Sequence, residues 1–286
     1  VSFAHTTSAR VVRRRVANYA FTTFCVLVTA VALAALAAIL WSLVTQGVGG
    51  LNIDVFTLST PAPGSRGGLA NAIVGSIMMC VLAMILATLV GVLAGTWLAE
   101  YAGSSRYGSA VRFVNDVLLS APSILVGLFV YGILVAPFKG FSGYAGAVAL
   151  ALLAAPVITR TTEDVLKLQA STLREAGVAL GAPLSLVIRE ILWRSAKGGI
   201  LTGALLAFAR ISGETAPLLF TALNNQFFSL DLSQPTANLP VVIFNYALSA
   251  YDDWRRLAWA GALLIAATVL GVTILARLLA KEPARR

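Results

Sequence analysis

Two charged residues stand where the surrounding sequence is most apolar. Arg210 and Glu214 lie four residues apart inside 199–222, a run with no other charge. Read as one helix, this run places Arg210 about 11 residues in, roughly 17 Å deep, with Glu214 one turn further along the same face. A charge at that depth in a bilayer costs about 2.5–3.5 kcal/mol on insertion scales, so it calls for a partner or a task. A guanidinium can offer two parallel N–H groups to the oxygens of an anion. Glu214 can hold that guanidinium between encounters with the anion, and Gly213 and Pro217 loosen the helix beside the pair. The competing reading is a mutually neutralising structural pair, although Arg placed N-terminal to Glu is the less favourable order at this spacing. Arg160, at the inner end of another apolar run, is a second candidate for the same pathway. Ordinary anchoring at a membrane surface is its alternative.

Such residues have to be positioned by elements that live in lipid. Of the 286 residues 58% are apolar and 12% charged, and the mean hydropathy is +0.86. So few charges cannot clothe a water-exposed surface. Six stretches approach the roughly 20 apolar residues a spanning helix requires: 18–45, 70–98, 113–136, 143–159, 199–222 and 257–279. The sequence thus implies an all-α membrane protein with six transmembrane helices. Arg13, Arg14 and Arg15 precede the first stretch as they would a signal peptide, but the run is too long for a signal-peptide core.

The basic residues orient the chain. Sixteen of the 21 Lys and Arg fall in segments that share one side if the N-terminus is cytoplasmic. Only Arg66, Lys139, Arg255 and Arg256 fall opposite, and Arg210 lies within a span. Both termini are therefore expected in the cytoplasm. The same asymmetry accounts for the net charge of +9 without nucleic acid. It divides the chain into a basic cytoplasmic segment 1–17, a first span 18–45, a Gly- and Pro-rich external loop 46–69, a core 70–280 and a cytoplasmic end 281–286.

Within the core, 160–198 is long, charged and cytoplasmic. Val165, Leu168, Leu173, Ala176 and Leu180 recur at helical spacing, Gly181-Ala182-Pro183 interrupts them, and Leu186, Val187, Ile191 and Leu192 resume. This is a helix-turn-helix with an apolar face to bury; lying along the membrane surface is the simplest way to bury it. Glu175, Ala176, Gly177, Gly181 and Ile191 follow the spacing Glu-Ala-Ala, three residues, Gly, nine residues, Ile. That pattern resembles the cytoplasmic coupling loop of binding-protein-dependent importer permeases, with Gly177 in place of the second Ala and Trp193-Arg194 where many members have Leu-Pro. The stretch from Ala209 through Arg210, Glu214 and Pro217 to Ala222, with 158–163, Asn238-Leu239-Pro240 and 257–261, resembles the PstA-type permeases of phosphate-specific import.

The resemblance covers roughly 70–280 and implies a type I ABC importer permease fold in a bacterial cytoplasmic membrane. It implies a homologous second permease, two cytoplasmic ATPase subunits that dock on the coupling loop, and an external phosphate-binding protein. ATP and magnesium would belong to the ATPases, with no cofactor on this chain. It also implies transport roles for Arg210 and Glu214, and an inner-mouth contact at Arg160 shared with Thr161 and Thr162. Sulfate or molybdate is the alternative cargo, and a gradient-driven anion transporter the alternative mechanism. His5 is the only histidine, and no G-x-x-x-x-G-K-[ST] phosphate loop occurs, so an enzymatic role is not expected.

Overall fold

The structure is a computed structural model that describes residues 9–280; the cytoplasmic end 281–286 and residues 1–8 lie outside the described residues. Among the described residues every regular element is helical. Four helices are long and apolar enough to cross a bilayer unaided: α1 (Ala9–Gly50), α3 (Ala70–Glu100), α6 (Gly143–Lys167) and α12 (Asp252–Ala280). A short helix in the first connection, α2 (Ile53–Thr57), is capped by the Asn52 side chain, which accepts from Val55 N–H. Glycine in the first connection serves packing as much as turning. The helix α1 runs on to Gly50, and a Cβ on Gly47 or Gly50 would come within 2.7 Å of Leu263 or 2.5 Å of the Arg256 carbonyl.

Two of the expected straight spans are interrupted. The stretch 113–136 is not one helix but α4 (Arg106–Ser120) and α5 (Ser123–Val130), bent by 106° at the break. Pro122 is the cause: it lacks an N–H and bars the residue before it from helical backbone, and Ala121 sits at φ −65°, ψ 135°. From Tyr131 to Val135 the chain continues as a π turn. The stretch 199–222 is likewise divided, into α9 (Trp193–Ile211) and α10 (Ala216–Thr221). Pro217 cannot donate to the carbonyl of residue 213 and its ring would collide with it, so the helix stops short. Of the six expected crossings, four are continuous helices long and apolar enough to span, a fifth is the bent pair α4–α5, and the stretch 199–222 is divided between α9 and α10.

The centre of the molecule is the pairing of α3 with α6. Along α3 the fully or nearly fully buried residues Met79, Ala83, Ala87, Gly91 and Gly95 recur at every fourth position. This stripe lets the two backbones approach closely: a Cβ on Gly91 would meet Ile158 at 2.7 Å, and one on Gly95 the Thr159 carbonyl at 2.5 Å. Lipid gives helices no hydrophobic reason to associate, so close van der Waals fit at small residues supplies the attraction. The second partner of α6 is α9, seated through Gly203 on Thr161 and Gly199 on Val165. At the end of the molecule away from the hairpin α11 (Leu239–Ala247), capped by the Asn238 side chain, joins α2 and α12 in a cluster built on Val55, Leu69, Val242 and Leu257.

Candidate functional site

Two regions of the fold carry chemistry. The first is the helical hairpin within 160–198, expected in the cytoplasm from its charge. Helix α6 does not stop at the inner end of its apolar run but continues to Lys167, where α7 (Ser171–Ala179) begins after a short turn. Gly181 follows at φ +78°, a left-handed conformation that glycine adopts without strain, and reverses the chain. Pro183 precedes the next helical turn, α8 (Leu184–Val187), its carbonyl accepting from Leu186 and Val187 N–H. From there helix α8, a π turn at Ile188–Leu192 and α9 form one unbroken helical path into the membrane.

Sequence reasoning placed Gly177 as a departure from the Glu-Ala-Ala pattern, and the packing explains it. Gly177 is buried, and a Cβ there would lie 2.7 Å from Val187 and 3.4 Å from Ile191. The hairpin therefore closes with Gly177 and Ile191 on its inside, while Glu175 and Ala176 point outward. Apolar residues are left bare around the turn: Leu168 is 82% exposed, Leu180 88% and Val178 54%. Exposed apolar residues among the charges of this loop form a candidate contact surface.

Ion pairs fasten this hairpin to the spans, and sequence reasoning missed them. Glu163 is almost wholly buried, and it accepts from Arg112 Nε at 2.7 Å and Lys167 Nζ at 2.5 Å. Arg112 also donates to the carbonyls of Leu98 and Gly103, so the ends of α3, α4 and α6 meet at one carboxylate. Arg174 Nη2 and Nε grip the two oxygens of Glu100 at 2.6 and 2.8 Å. The i,i+4 order of Glu163 before Lys167 was legible as a favourable helical pair; partners 51 and 74 residues apart were not.

The second region lies around the breaks. Arg210 occupies the last turn of α9, where the helix dipole favours a cation. The helix ends at Ile211, so Glu214 falls in the interruption rather than one turn further on the same face, and its N–H donates to the Ile211 carbonyl. Both side chains are half-buried, and among the described residues neither takes part in an ion pair. The two interrupted spans touch just beyond their breaks, where a Cβ on Gly127 of α5 would lie 2.6 Å from the Pro217 Cα. Arg160 is half-exposed, between Asp164 at 3.2 Å and Asp116 at 3.7 Å. Thr161 packs on Gly203 and Thr162 is fully buried against Gly95, so their side chains face neighbouring helices.

Comparison with known proteins places this geometry. Residues 91–284 match the family of binding-protein-dependent transport system inner membrane components. A phosphate transport system permease protein PstA from Haemophilus influenzae is 56% identical over 240 residues, covering 84% of this chain and 85% of that protein. One of the same name from Xylella fastidiosa is 50% identical over 268 residues, 93% of each chain. Among solved structures, the inward-facing MetNI methionine ABC transporter superposes with a TM-score of 0.63 at 18% identity, covering 73% of this chain and 93% of that one. At that identity the likeness speaks for the fold alone, an all-α membrane bundle. By the extent of the family match and of these relatives, the chain belongs to the inner membrane components of binding-protein-dependent transport systems.

Proposed function

We propose that this chain is a transmembrane permease subunit of an ATP-driven importer of inorganic phosphate in a bacterial cytoplasmic membrane. One observation carries the ATP-driven part: a cytoplasmic hairpin with bare apolar residues at its turn, continuous in helix with α9 and joined by a short turn to α6. A gradient-driven transporter has no use for such a lever. Phosphate as the cargo is supported by relatives of that name at 50–56% identity over most of the chain.

In this reading both termini are cytoplasmic, as the basic residues require. One of two ATPase subunits docks on the hairpin around Glu175, Ala176, Val178 and Leu180, and the ATPases alone hold ATP and magnesium. A homologous second permease and an external phosphate-binding protein complete the assembly. Closure of the ATPases displaces α7 and α8, and α9 tilts with them, so a cavity between this chain and the second permease opens alternately to each side. Arg210 lowers the electrostatic barrier to an anion crossing low-dielectric protein. Glu214, freed from the helix by the break, moves to and from Arg210 without standing permanently in the anion's way. Arg160, already flanked by two carboxylates, is a secondary contact at the inner mouth.

The test is uptake by the reconstituted complex. Arg210→Gln is expected to abolish ATP-dependent phosphate uptake while the subunits still assemble. Normal uptake by that variant removes Arg210 from the pathway, and equal competition by sulfate or molybdate overturns phosphate as the cargo.

A further inference from the structure

The helix α3 ends in a residue that its own backbone disfavours. Glu100 is the last residue of an apolar helix about 46 Å long. A carboxylate there faces the negative end of the helix dipole. It is also withdrawn from water, its side chain 3% exposed. Such a group persists only with a cation held against it, and the cation comes from α7.

Arg174 uses every edge of its guanidinium. Nε and Nη2 hold the two Glu100 oxygens, Nη2 also donates to the Leu166 carbonyl at 2.9 Å, and Nη1 donates to the Gln169 carbonyl at 3.0 Å. Leu166 and Gln169 lie at and just beyond the end of α6. One side chain thereby joins the cytoplasmic ends of α3, α6 and α7. Helix α7 packs on α8 and the π turn that follows. Among the described residues, its hydrogen bonds to α3 are those between Arg174 and Glu100.

A bidentate planar pair has fixed length and fixed orientation. It resists pull as well as push, which apolar contact does not. We propose that the Arg174–Glu100 pair is the tie through which displacement of α7 reaches α3, and that both are positioning residues for transport. This role rests on the ATP-driven reading above. Loss of the tie leaves α7 free to follow the ATPases while α3 stays behind, so that ATP is hydrolysed without import.

The experiment uses the complete complex in proteoliposomes, with phosphate uptake and ATP hydrolysis measured on the same vesicles. Glu100→Gln keeps shape and leaves Arg174 its two carbonyl partners. It is expected to assemble and hydrolyse ATP, with phosphate imported per ATP falling about tenfold. Arg174→Lys, which replaces two parallel bonds by a point charge, gives a smaller fall. Spin labels at the external ends of α3 and α11 should report an ATP-driven distance change in the unaltered complex that Glu100→Gln lacks. If Glu100→Gln fails to assemble, Arg174→Lys carries the test by the same ratio. An unchanged ratio, or hydrolysis and uptake falling in step, overturns the tie. An unaltered complex that imports no phosphate on ATP overturns the importer reading, and the tie falls with it.

Discussion

Beside the hairpin Glu163 gathers Arg112 and Lys167 while Arg174 grips Glu100; at the break before Pro217, Arg210 and Glu214 sit four residues apart and, among the described residues, form no ion pair. The first region joins α3, α4, α6 and the short helix α7 through residues set within unbroken helical turns. The second is where two spans are broken, at Pro122 and before Pro217. Side-chain chemistry is equally available in both places, so backbone continuity makes the difference. Charges on intact helices have fixed neighbours and form locks. Charges beside a break are left with room to change partners, which suits a path that must bind an anion and let it go.

Removing a lock should have the largest effect. Glu163→Ala leaves Arg112 without its carboxylate, and we expect a loss of about 3 kcal/mol, near the lower end for breaking a buried pair because Lys167 is half-exposed. Thermal unfolding of the purified complex measures it, and a change too small to resolve would erase the contrast between the two regions. Next comes the α3–α6 seam. Gly95→Ala pushes a methyl group against the Thr159 carbonyl and should cost about 1–3 kcal/mol in the same assay. The matching change at the break, Gly213→Ala, meets nothing within 4 Å. It should leave stability within about 0.5 kcal/mol yet slow uptake, because alanine favours helix where the chain is interrupted. Equal destabilisation at Gly95 and Gly213 would show that both regions are packed alike.

The smallest effect belongs to the external face. Arg66 donates to both oxygens of Asp54 and holds its carboxyl below the ordinary value of 3.8. A depressed carboxyl stabilises the fold above its unfolded value and loses that contribution as pH falls through the lower, folded one. Protease resistance of the loop around Arg66 should therefore hold from neutral pH down to about 4 and fall off below it. Asp54→Asn should flatten that dependence. A loop equally resistant on both sides of pH 4 would detach Asp54 from the loop's order.

Much of this was written openly in the residues. The four long spans follow from apolarity, and the hairpin's turn from Gly181 and Pro183. The stripe of Ala83, Ala87, Gly91 and Gly95 has the four-residue period of a helix face. Apolarity alone misjudged 113–136 and 199–222 because lipid solvates a broken helix and a straight one through the same side chains. Only the backbone demands of Pro122 and Pro217 tell them apart. Spacing placed Glu214 on the face of Arg210 on the assumption that the helix went on, and it ends at Ile211. The locks were out of reach for another reason: Arg112 and Glu163, or Glu100 and Arg174, become neighbours only once the spans have packed.

The close fit of α3 against α6 has an electrical meaning. A membrane that stores a voltage tolerates no water-filled crevice through its proteins, and a seam drawn tight at Gly91 and Gly95 leaves no volume for a file of water molecules. A proton or small ion finds no room to pass where those two backbones meet.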